Sequence, residues 1–380
     1  MHMTLVQATD LHYLSQRLTD NGPAFERAVL HGDGKIALRI EELAEGFTED
    51  ICRMKPEFLI YSGDLSYNGE TESHKDLIRK LHRMETAGTK VLVIPGNHDM
   101  ESPRAKTYQE EKVLPAATPT KEEFFELYRS FGYDQAESRA PDSFSYAFSA
   151  GENLVILMLD ANSVHFNTLS DETLAWAEEQ LKKASKVGRK VLGVTHENLF
   201  AHSDLISRNF RLENADALRK LYLKYGVHCN LSGHIHLQHI QTEDGITEAA
   251  TGALSVGHLS YAVLNWDGSV LTYQKQPVSG HEDLHREAEQ IFPSSSYKMA
   301  RAVLEQDSSL NGEEKDRASS LFAEINTAYF QGDPMDLSGR EQELNILKSA
   351  GGQLGPFTSS IARDLNKKID KVDCRINLNN

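Results

Sequence analysis

Side chains that can bind metal ions or transfer protons follow several apolar segments of the sequence, at the points where those segments end. They are carboxylates, imidazoles and one amide, at Asp10 and His12, Asp64, Asn97, His98 and Asp99, Asp160, His196, and His234 and His236. In layered α/β proteins, ligands bind beyond the carboxyl ends of the strands. One histidine in such a position could be an ordinary loop residue, but so many metal-binding groups at corresponding strand ends predict a shared site.

The spacing of two pairs supports the same site. One residue separates Asp10 from His12, and one separates His234 from His236. Residues i and i+2 of an extended strand point to the same side, so we expect each pair to face one ligand. A lone pair of this kind is also typical of an exposed strand face. Glycines that would let the backbone turn closely around a ligand stand beside these groups, at Gly63, Gly96 and Gly233.

The donor atoms indicate which ions would bind. Oxygen and nitrogen donors without a thiolate suit Mn²⁺, Fe or Zn²⁺ rather than a structural cysteine-type zinc site. Seven or more candidate ligands are too many for one ion, and a carboxylate can bridge two ions. Centres with two ions about 3.5–4 Å apart hydrolyse phosphoesters, so the pattern favours a dinuclear phosphoesterase.

Apolar runs of strand length, separated by helical patterns, must position these residues. We predict strands within residues 4–10, 57–64, 90–99, 153–160, 190–198 and 227–236. We predict helices over 36–54, 71–87 and 171–187, the last with Ser170 as its N-cap. Strands alternating with helices imply a layered α/β fold. Segments 248–256 and 260–274, the second with an Asp267-Gly268 turn, indicate antiparallel strands, so a mixed sheet system is expected.

The pattern becomes helical after residue 280. One apolar face at helical spacing is formed by Leu321, Phe322, Ile325 and Tyr329. We therefore expect a catalytic domain over residues 1–280 and a small helical domain over 281–380 that shapes the pocket or mediates dimerisation. The Met and aromatic residues of this second domain are expected to form its core rather than to contact a ligand.

Composition disfavours some classes of protein. The net charge of -16 argues against a protein held on nucleic acid or anionic lipid by its overall field. Cys52, Cys229 and Cys374 lie far apart and form neither a disulfide framework nor a CxxC metal site. No apolar run reaches the roughly 18 residues of a membrane span. The chain as given is expected to be cytoplasmic, and an extracytoplasmic protein stays open if a leader preceded the initial MHM.

The order of the motifs resembles the calcineurin-like metallophosphoesterases. It runs through Asp10-x-His12, Gly63-Asp64, the segment 96–99, the lone His196, and Gly233-His234-x-His236, and the resemblance covers residues 4–265. GNHD, GHIH and the opening ATDLHYLS are most similar to the bacterial class III cyclic-nucleotide-phosphodiesterase-like branch. The resemblance implies a four-layer α/β/β/α sandwich with a dinuclear centre at the strand ends, to which the small C-terminal α-helical domain would be added.

The resemblance also implies a role for each site residue. One metal ion would be held by Asp10, His12 and His236, the other by Asn97, His196 and His234, with Asp64 bridging them. A water or hydroxide between the ions would attack phosphorus. Asn97 and His98 would contact the substrate, His98 would protonate the departing alkoxide, and Asp99 would orient the His98 imidazole.

Two departures from the family pattern leave every ligand in place. An insert over residues 15–35 follows the first strand and would form a pocket wall, and His31 within it is expected to be structural. Glu197 follows His196, where related sequences often carry another polar residue, and would lie behind the ligands.

Other polar residues near the motifs carry weaker expectations. Asn68 and Asp160 would support the ligands from behind. Several histidines are expected to be loop or surface residues, namely His165, His202, His239 and His258.

The sequence thus favours a phosphodiesterase that uses two divalent or transition metal ions and acts on cyclic nucleotides or similar small phosphodiesters. A phosphomonoesterase or a nucleotide pyrophosphohydrolase would use the same centre, so these alternatives stay open. A complete ligand set disfavours a non-catalytic scaffold, and the acidic charge disfavours a nucleic-acid polymer as partner. Protein phosphatase activity and homo-oligomerisation stay open.

Overall fold

The computed structural model describes residues 2–30, 32, 34–203, 206, 209–365 and 373–378, so His31 lies outside the described residues. The strands are β1 (Met3–Ala8), β2 (Phe58–Ser62), β3 (Lys90–Ile94), β4 (Lys106–Gln109), β5 (Lys112–Pro115), β6 (Ser138–Arg139), β7 (Tyr146–Ser149), β8 (Leu154–Leu159), β9 (Lys190–Thr195), β10 (Cys229–Ser232), β11 (His239–Glu243), β12 (Ile246–Ala250), β13 (Ser260–Trp266), β14 (Val270–Pro277) and β15 (Asp373–Asn377). The helices are α1 (Pro23–Leu30), α2 (Ile40–Met54), α3 (Thr71–Ala87), α4 (Lys121–Tyr128), α5 (Asp171–Lys186), α6 (Ala215–Tyr225), α7 (Glu282–Leu304), α8 (Gly312–Gln331), α9 (Glu341–Ser349) and α10 (Leu354–Leu365).

The predicted strands coincide with β1, β2, β3, β8, β9 and β10, and the predicted helices with α2, α3 and α5. Ser170 caps α5 as predicted, since its side chain accepts a hydrogen bond from Thr173 N.

The first sheet has the order β15-β14-β13-β1-β2-β3. Its β1, β2 and β3 are parallel, whereas β13, β14 and β15 are added antiparallel. The predicted turn between β13 and β14 is present, because Asp267 Oδ1 accepts hydrogen bonds from Ser269 N at 2.9 Å and Val270 N at 2.7 Å. A hairpin at the predicted place therefore extends a parallel sheet.

The second sheet has the order β11-β12-β10-β9-β8-β7-β6. Its central strands β8, β9, β10 and β12 are parallel, and β11, β7 and β6 are antiparallel at the edges. The mixed sheets confirm the expectation. The segment 248–256 is only partly strand, because β12 ends at Ala250. The expected antiparallel pairing is found only with β11, since β12 is parallel to β10.

The two sheets pack face to face with helices on their outer sides. In β8, Ile156 and Met158 belong to the core that joins the two sheets. Leu157 and Leu159 point the other way and pack with residues of α5 and α6, including Trp176. Helices α2 and α3 add their buried faces to the core of the first sheet. Because β8 is buried at every position, its sequence is a continuous apolar run, and the layers form an α/β/β/α sandwich.

The C-terminal part of α7 and the helices α8 to α10 form a second apolar cluster beside this sandwich. Leu284 and Ala288, in the first half of α7, belong to the core that joins the two sheets. The predicted face of α8 is buried, and it packs with Ile235, Leu237 and Ala250 from the end of the second sheet. After α10, β15 pairs with β14 and so returns to the first sheet. A domain boundary near residue 280 stays a prediction. None of the helices in the described ranges combines the length and hydropathy that crossing a membrane requires.

Candidate metal centre

The loops that follow β1, β2 and β10 are hydrogen-bonded to one another. Asp10 N donates to Gly63 O at 3.1 Å, and His12 N donates to Asp64 O at 3.0 Å. His234 N donates to Asp10 Oδ2 at 2.9 Å, which joins the second sheet to the first. The carboxyl ends of strands from both sheets therefore meet at one place, as the sequence predicts.

Two groups of potential metal ligands share Asp64. Among the described residues, the first group contains Asp10, His12, Asp64 and His236, and the second contains Asp64, His196 and His234, with the ligand atoms of each group within 4.8 Å of one another. Asn97 lies beside the second group, where its Oδ1 is 3.2 Å from His196 Nε2. The structure thus brings together every residue that the sequence predicts as a ligand.

The donor atoms of the first group lie close together, and two of them have no hydrogen-bond partner, which is the arrangement expected around a cation. His12 Nε2 lies 3.1 Å from His236 Nε2, and His236 Nε2 lies 3.2 Å from Asp10 Oδ1. Asp10 Oδ1 and His12 Nδ1 are buried without a hydrogen-bond partner, which is rare in folded proteins. A metal ion among these atoms would give Asp10 Oδ1 a partner, and carboxylate and imidazole donors suit Mn, Fe or Zn.

The electrostatic interaction between Asp64 and His196 shifts the pKa values of both residues in the second group. Burial alone would raise the pKa of Asp64, but the charge and hydrogen bond of His196 hold that pKa well below its usual value. Burial alone would lower the pKa of His196, but Asp64 raises it well above its usual value. Burial, with the charge of His196, lowers the pKa of His234 to about 4. A cation bound beside Asp64 would take the place of the His196 proton, because metal ligands must be deprotonated.

The ligand residues have unusual backbone conformations. The φ angles are positive at Asp10 (53°), His12 (50°), Asp64 (50°), His234 (67°) and His236 (58°). The left-handed region costs about 1–2 kcal/mol per non-glycine residue, and such strain clusters at functional sites. The expectation that each i, i+2 pair converges on an extended strand is wrong, because β1 and β10 end before the pairs and left-handed turns aim the side chains.

The glycines beside the ligands are required by close packing. A Cβ on Gly63 would collide with the His196 ring, and one on Gly96 would collide with the Asp64 carboxylate. Gly233 is equally enclosed. This confirms that these glycines allow the backbone to approach the site closely.

His98 is held by acceptors on one side and faces the cavity with the other. Its Nδ1 lies 3.1 Å from both Tyr67 O and Asn68 Oδ1, so Nδ1 carries the hydrogen and donates it. Its Nε2 points toward the ligands and lies 4.0 Å from Asp64 Oδ2. Asn68 therefore supports His98 directly rather than a metal ligand.

Asp99 does not contact His98 in the way that the sequence suggested. Its oxygens accept hydrogen bonds from Gly96 N at 2.8 Å, Ser66 N at 2.9 Å and Leu65 N at 3.2 Å. The expectation that Asp99 orients the His98 imidazole is wrong, because these backbone donors already occupy the carboxylate. Asp99 instead ties the loop after β3 to the loop after β2.

Glu197 and Asp160 lie behind the site. Glu197 is buried, and its Oε1 accepts a hydrogen bond of 2.6 Å from Asn162 Nδ2. Asp160 accepts hydrogen bonds from Asn162 N at 2.9 Å and Phe144 N at 3.0 Å. Both residues order loops rather than contact the ligands.

Two histidines expected in loops or on the surface are buried. His202 Nε2 lies 3.0 Å from Glu248 Oε2, and His202 Nδ1 lies 2.9 Å from His239 Nδ1. They are covered because α8 packs over this end of the second sheet, where Tyr329 OH donates to His202 O at 3.4 Å. His202 lies in the loop between β9 and α6, as predicted, although that loop is buried. The prediction is wrong for His239, which is buried at the start of β11, whereas His165 is exposed as expected.

A cavity of about 780 Å³ opens above the ligands. Its floor includes Asp64, Asn97, His98, His234 and His236. Gly32 and Lys35 contribute to its wall, so the insert after the first strand does help to form the pocket. The side opposite the floor comes from the C-terminal helices and is lined by Phe292, Met299, Asn326, Phe330 and Phe357.

Sequence reasoning missed this last group of residues. The Met and aromatic residues of the C-terminal helices were expected to be core, and Phe322 and Tyr329 are. Phe330 is the next residue after Tyr329, so it lies about 100° further around the helix and off the buried face. This position is the one sequence feature that indicates that Phe330 is not a core residue. Arg104 also lines the cavity and is not among the predicted residues.

The fold is similar to those of known metallophosphatases. Comparison with curated protein sequences finds no match. A dimetal phosphatase from Danio rerio aligns with a TM-score of 0.53 and 13% identity, over 72% of this chain and 96% of that protein. Purple acid phosphatase PPD1 from yellow lupin (Lupinus luteus) seeds aligns with a TM-score of 0.50 and 12% identity, over 73% of this chain and 52% of the lupin protein. At these identities the likeness concerns the fold alone.

The sequence profile of the calcineurin-like phosphoesterases matches residues 3–238. This range begins at β1, ends just past His236, and contains all the predicted ligands. A match over more than half of the chain, together with the shared ligand site, supports a phosphoric ester hydrolase. The chain belongs to the calcineurin-like phosphoesterase family.

Proposed function

We propose that this protein is a dinuclear metal-dependent phosphodiesterase acting on small phosphodiesters, with cyclic nucleotides as the leading substrate. The observation that carries the proposal is the buried carboxylate of Asp64, which belongs to two ligand groups at once. A carboxylate with two oxygens can contact two ions at once, which fits a centre with two ions about 3.5–4 Å apart.

In this proposal the ligand groups divide as the family resemblance implies. Asp10, His12 and His236 would hold one ion, Asn97, His196 and His234 would hold the other, and Asp64 would be shared between them. When bound, the two ions supply the Lewis acid and the activated water that phosphoester hydrolysis needs.

His98 acts on the substrate from the side of the cavity. Its Nδ1 donates to Tyr67 O and Asn68 Oδ1, which fixes the ring and leaves Nε2 on the side of the cavity, where a substrate phosphate would lie. There Nε2 can hold a phosphoryl oxygen and deliver a proton to the departing alkoxide. Asp99 contributes by fixing the loop on which His98 stands.

The cavity supports a diester rather than a phosphate with a single small substituent. Its volume of about 780 Å³ leaves room for groups on both sides of phosphorus.

We also propose that the division near residue 280 separates the metal-binding domain from a helical cap, since α7, α8 and α10 line the cavity. A phosphomonoesterase or nucleotide pyrophosphohydrolase would use the same centre, and substrate comparison separates them.

The test compares hydrolysis of bis-p-nitrophenyl phosphate and p-nitrophenyl phosphate with Mn²⁺ added. Wild type is expected to prefer the diester, and His98→Ala to lower kcat by about 10²–10⁴-fold without changing metal content. His82→Ala is the matched control, because His82 is exposed on α3. Hydrolysis of the monoester alone would refute the phosphodiesterase, and inactivity on both esters with two ions bound would refute catalysis on this class.

A further inference from the structure

The wall opposite the metal ligands is apolar and open to solvent. Phe292, Phe330 and Phe357 line it and are only half-buried, and Met299 is 50% exposed. The proposed phosphoryl transfer involves only residues of the cavity floor. Apolar side chains that remain uncovered inside a cavity mark a ligand-binding surface.

Aromatic faces continue from this wall toward the metal ligands. The rings of Phe292 and Phe330 have centroids 5.4 Å apart and planes inclined by 55°. On the side of the ligands, the ring of Phe210 lies 5.0 Å from that of His234. A planar group attached to a phosphate at the metal centre would therefore meet aromatic surfaces.

Asn326 adds a polar group with a defined orientation. Ser296 Oγ donates to Phe292 O at 3.0 Å, so it can only accept the hydrogen bond of 2.9 Å from Asn326 Nδ2. This fixes the amide and leaves Asn326 Oδ1 as an acceptor without a partner. Asn326 is 5% exposed and lines the cavity. A buried acceptor of this kind is costly unless a donor reaches it.

We propose that the C-terminal helices form the recognition site for a planar, nitrogen-containing ring of the substrate, such as a nucleobase that carries an amino group. The ring packs against Phe292 and Phe330, and its N–H group donates to Asn326 Oδ1. This rests on the proposed function only for the place of the phosphate. An acyl chain would satisfy the apolar wall but would leave Asn326 without a donor.

The test measures binding by calorimetry on the full chain with Mn²⁺, so it needs no turnover. The probes are adenosine 5′-monophosphate, purine riboside 5′-monophosphate, ribose 5-phosphate and octyl phosphate. Wild type is expected to bind adenosine monophosphate at least about tenfold more tightly than ribose 5-phosphate, from the strength of base stacking. Phe330→Ala should remove most of this advantage while binding ribose 5-phosphate normally, and Asn326→Leu should abolish the preference for the amino-bearing base.

The matched control is Phe125→Ala, since Phe125 is also half-buried but lines a different cavity, at α4. Equal binding of adenosine monophosphate and ribose 5-phosphate, or equal effects of Phe330→Ala and Phe125→Ala, would overturn the inference. Tighter binding of octyl phosphate would also overturn it. If adenosine monophosphate binds more tightly than ribose 5-phosphate but no ester is hydrolysed, the recognition site is supported. That result would count against the proposed phosphodiesterase activity and not against the recognition site.

Discussion

Replacing Gly63 by alanine should remove one metal ion and lower the melting temperature. Gly63 has a φ of +97°, where L side chains are strained, and a Cβ there would collide with the ring of His196. His196 belongs only to the second ligand group, so the first group would remain intact. We therefore expect Gly63→Ala to bind one ion where the wild type binds two.

The structure also gives the size of the effect. The left-handed conformation contributes about 1–2 kcal/mol of destabilisation. Displacing a packed ring contributes about 1–3 kcal/mol more. For a chain of this length, about 1–2 °C of melting temperature corresponds to each kcal/mol. The sum of about 2–5 kcal/mol predicts a fall of roughly 2–10 °C in the metal-free protein.

Gly88→Ala is the matched control. Gly88 ends α3 with a φ of +116°, but a Cβ there would meet no atom within 4 Å. This variant carries the backbone strain without the collision, so its melting temperature should fall by about 1–4 °C and its metal content should match that of the wild type. Melting is followed by calorimetry and metal content by mass spectrometry. Two tightly bound ions in Gly63→Ala, with the stability of Gly88→Ala, would refute the proposed packing of His196.

Three further changes test other parts of the site. Asp64→Ala should reduce metal content below one ion per chain, because both groups lose a ligand, and retention of two ions would contradict the shared role. Asp99→Ser should lower the free energy of unfolding by about 2–4 kcal/mol in denaturant titrations, since buried backbone donors lose their acceptor. Glu70 has a pKa raised by burial to about 7, so the folded state keeps a proton that the unfolded state has released. The free energy of unfolding of the wild type should therefore fall by up to about 3 kcal/mol relative to that of Glu70→Gln as pH rises from 4.5 to 7. A constant difference in free energy of unfolding between the two proteins across that range would contradict this.

The sequence pattern predicts the central strands and the polar residues that the structure brings together at their ends. Continuous apolar runs such as β8 are typical of strands buried on both faces, and polar residues after such runs can only lie at the edge of the sheet. This pattern predicts a shared site for Asp10, His12, His196, His234 and Asp64, and the structure places these side chains together. The layered fold and the mixed sheets follow from the same pattern.

The local geometry could not be read from residue types. Asp10 and His12 converge through left-handed turns, whereas a spacing of two residues suggested an extended strand. Asp99 follows His98 in sequence, yet its oxygens accept backbone hydrogen bonds from another loop. Such partners depend on long-range contacts, which spacing along the chain does not encode.

The cavity wall was missed for a different reason. Phe292, Phe330 and Phe357 lie on helices that also have a buried apolar face, so their composition resembles that of a core. Only the packing of α7, α8 and α10 over the second sheet shows that these rings face a cavity. A position off the buried stripe is a weak signal by itself.

The most direct test of the dinuclear site is anomalous diffraction from crystals grown with Mn²⁺. The site predicts two anomalous peaks about 3.5–4 Å apart, one on each side of the Asp64 carboxylate. The first should be ligated by Asp10, His12 and His236, and the second by Asn97, His196 and His234. A single peak, or two peaks that do not share Asp64, would contradict it.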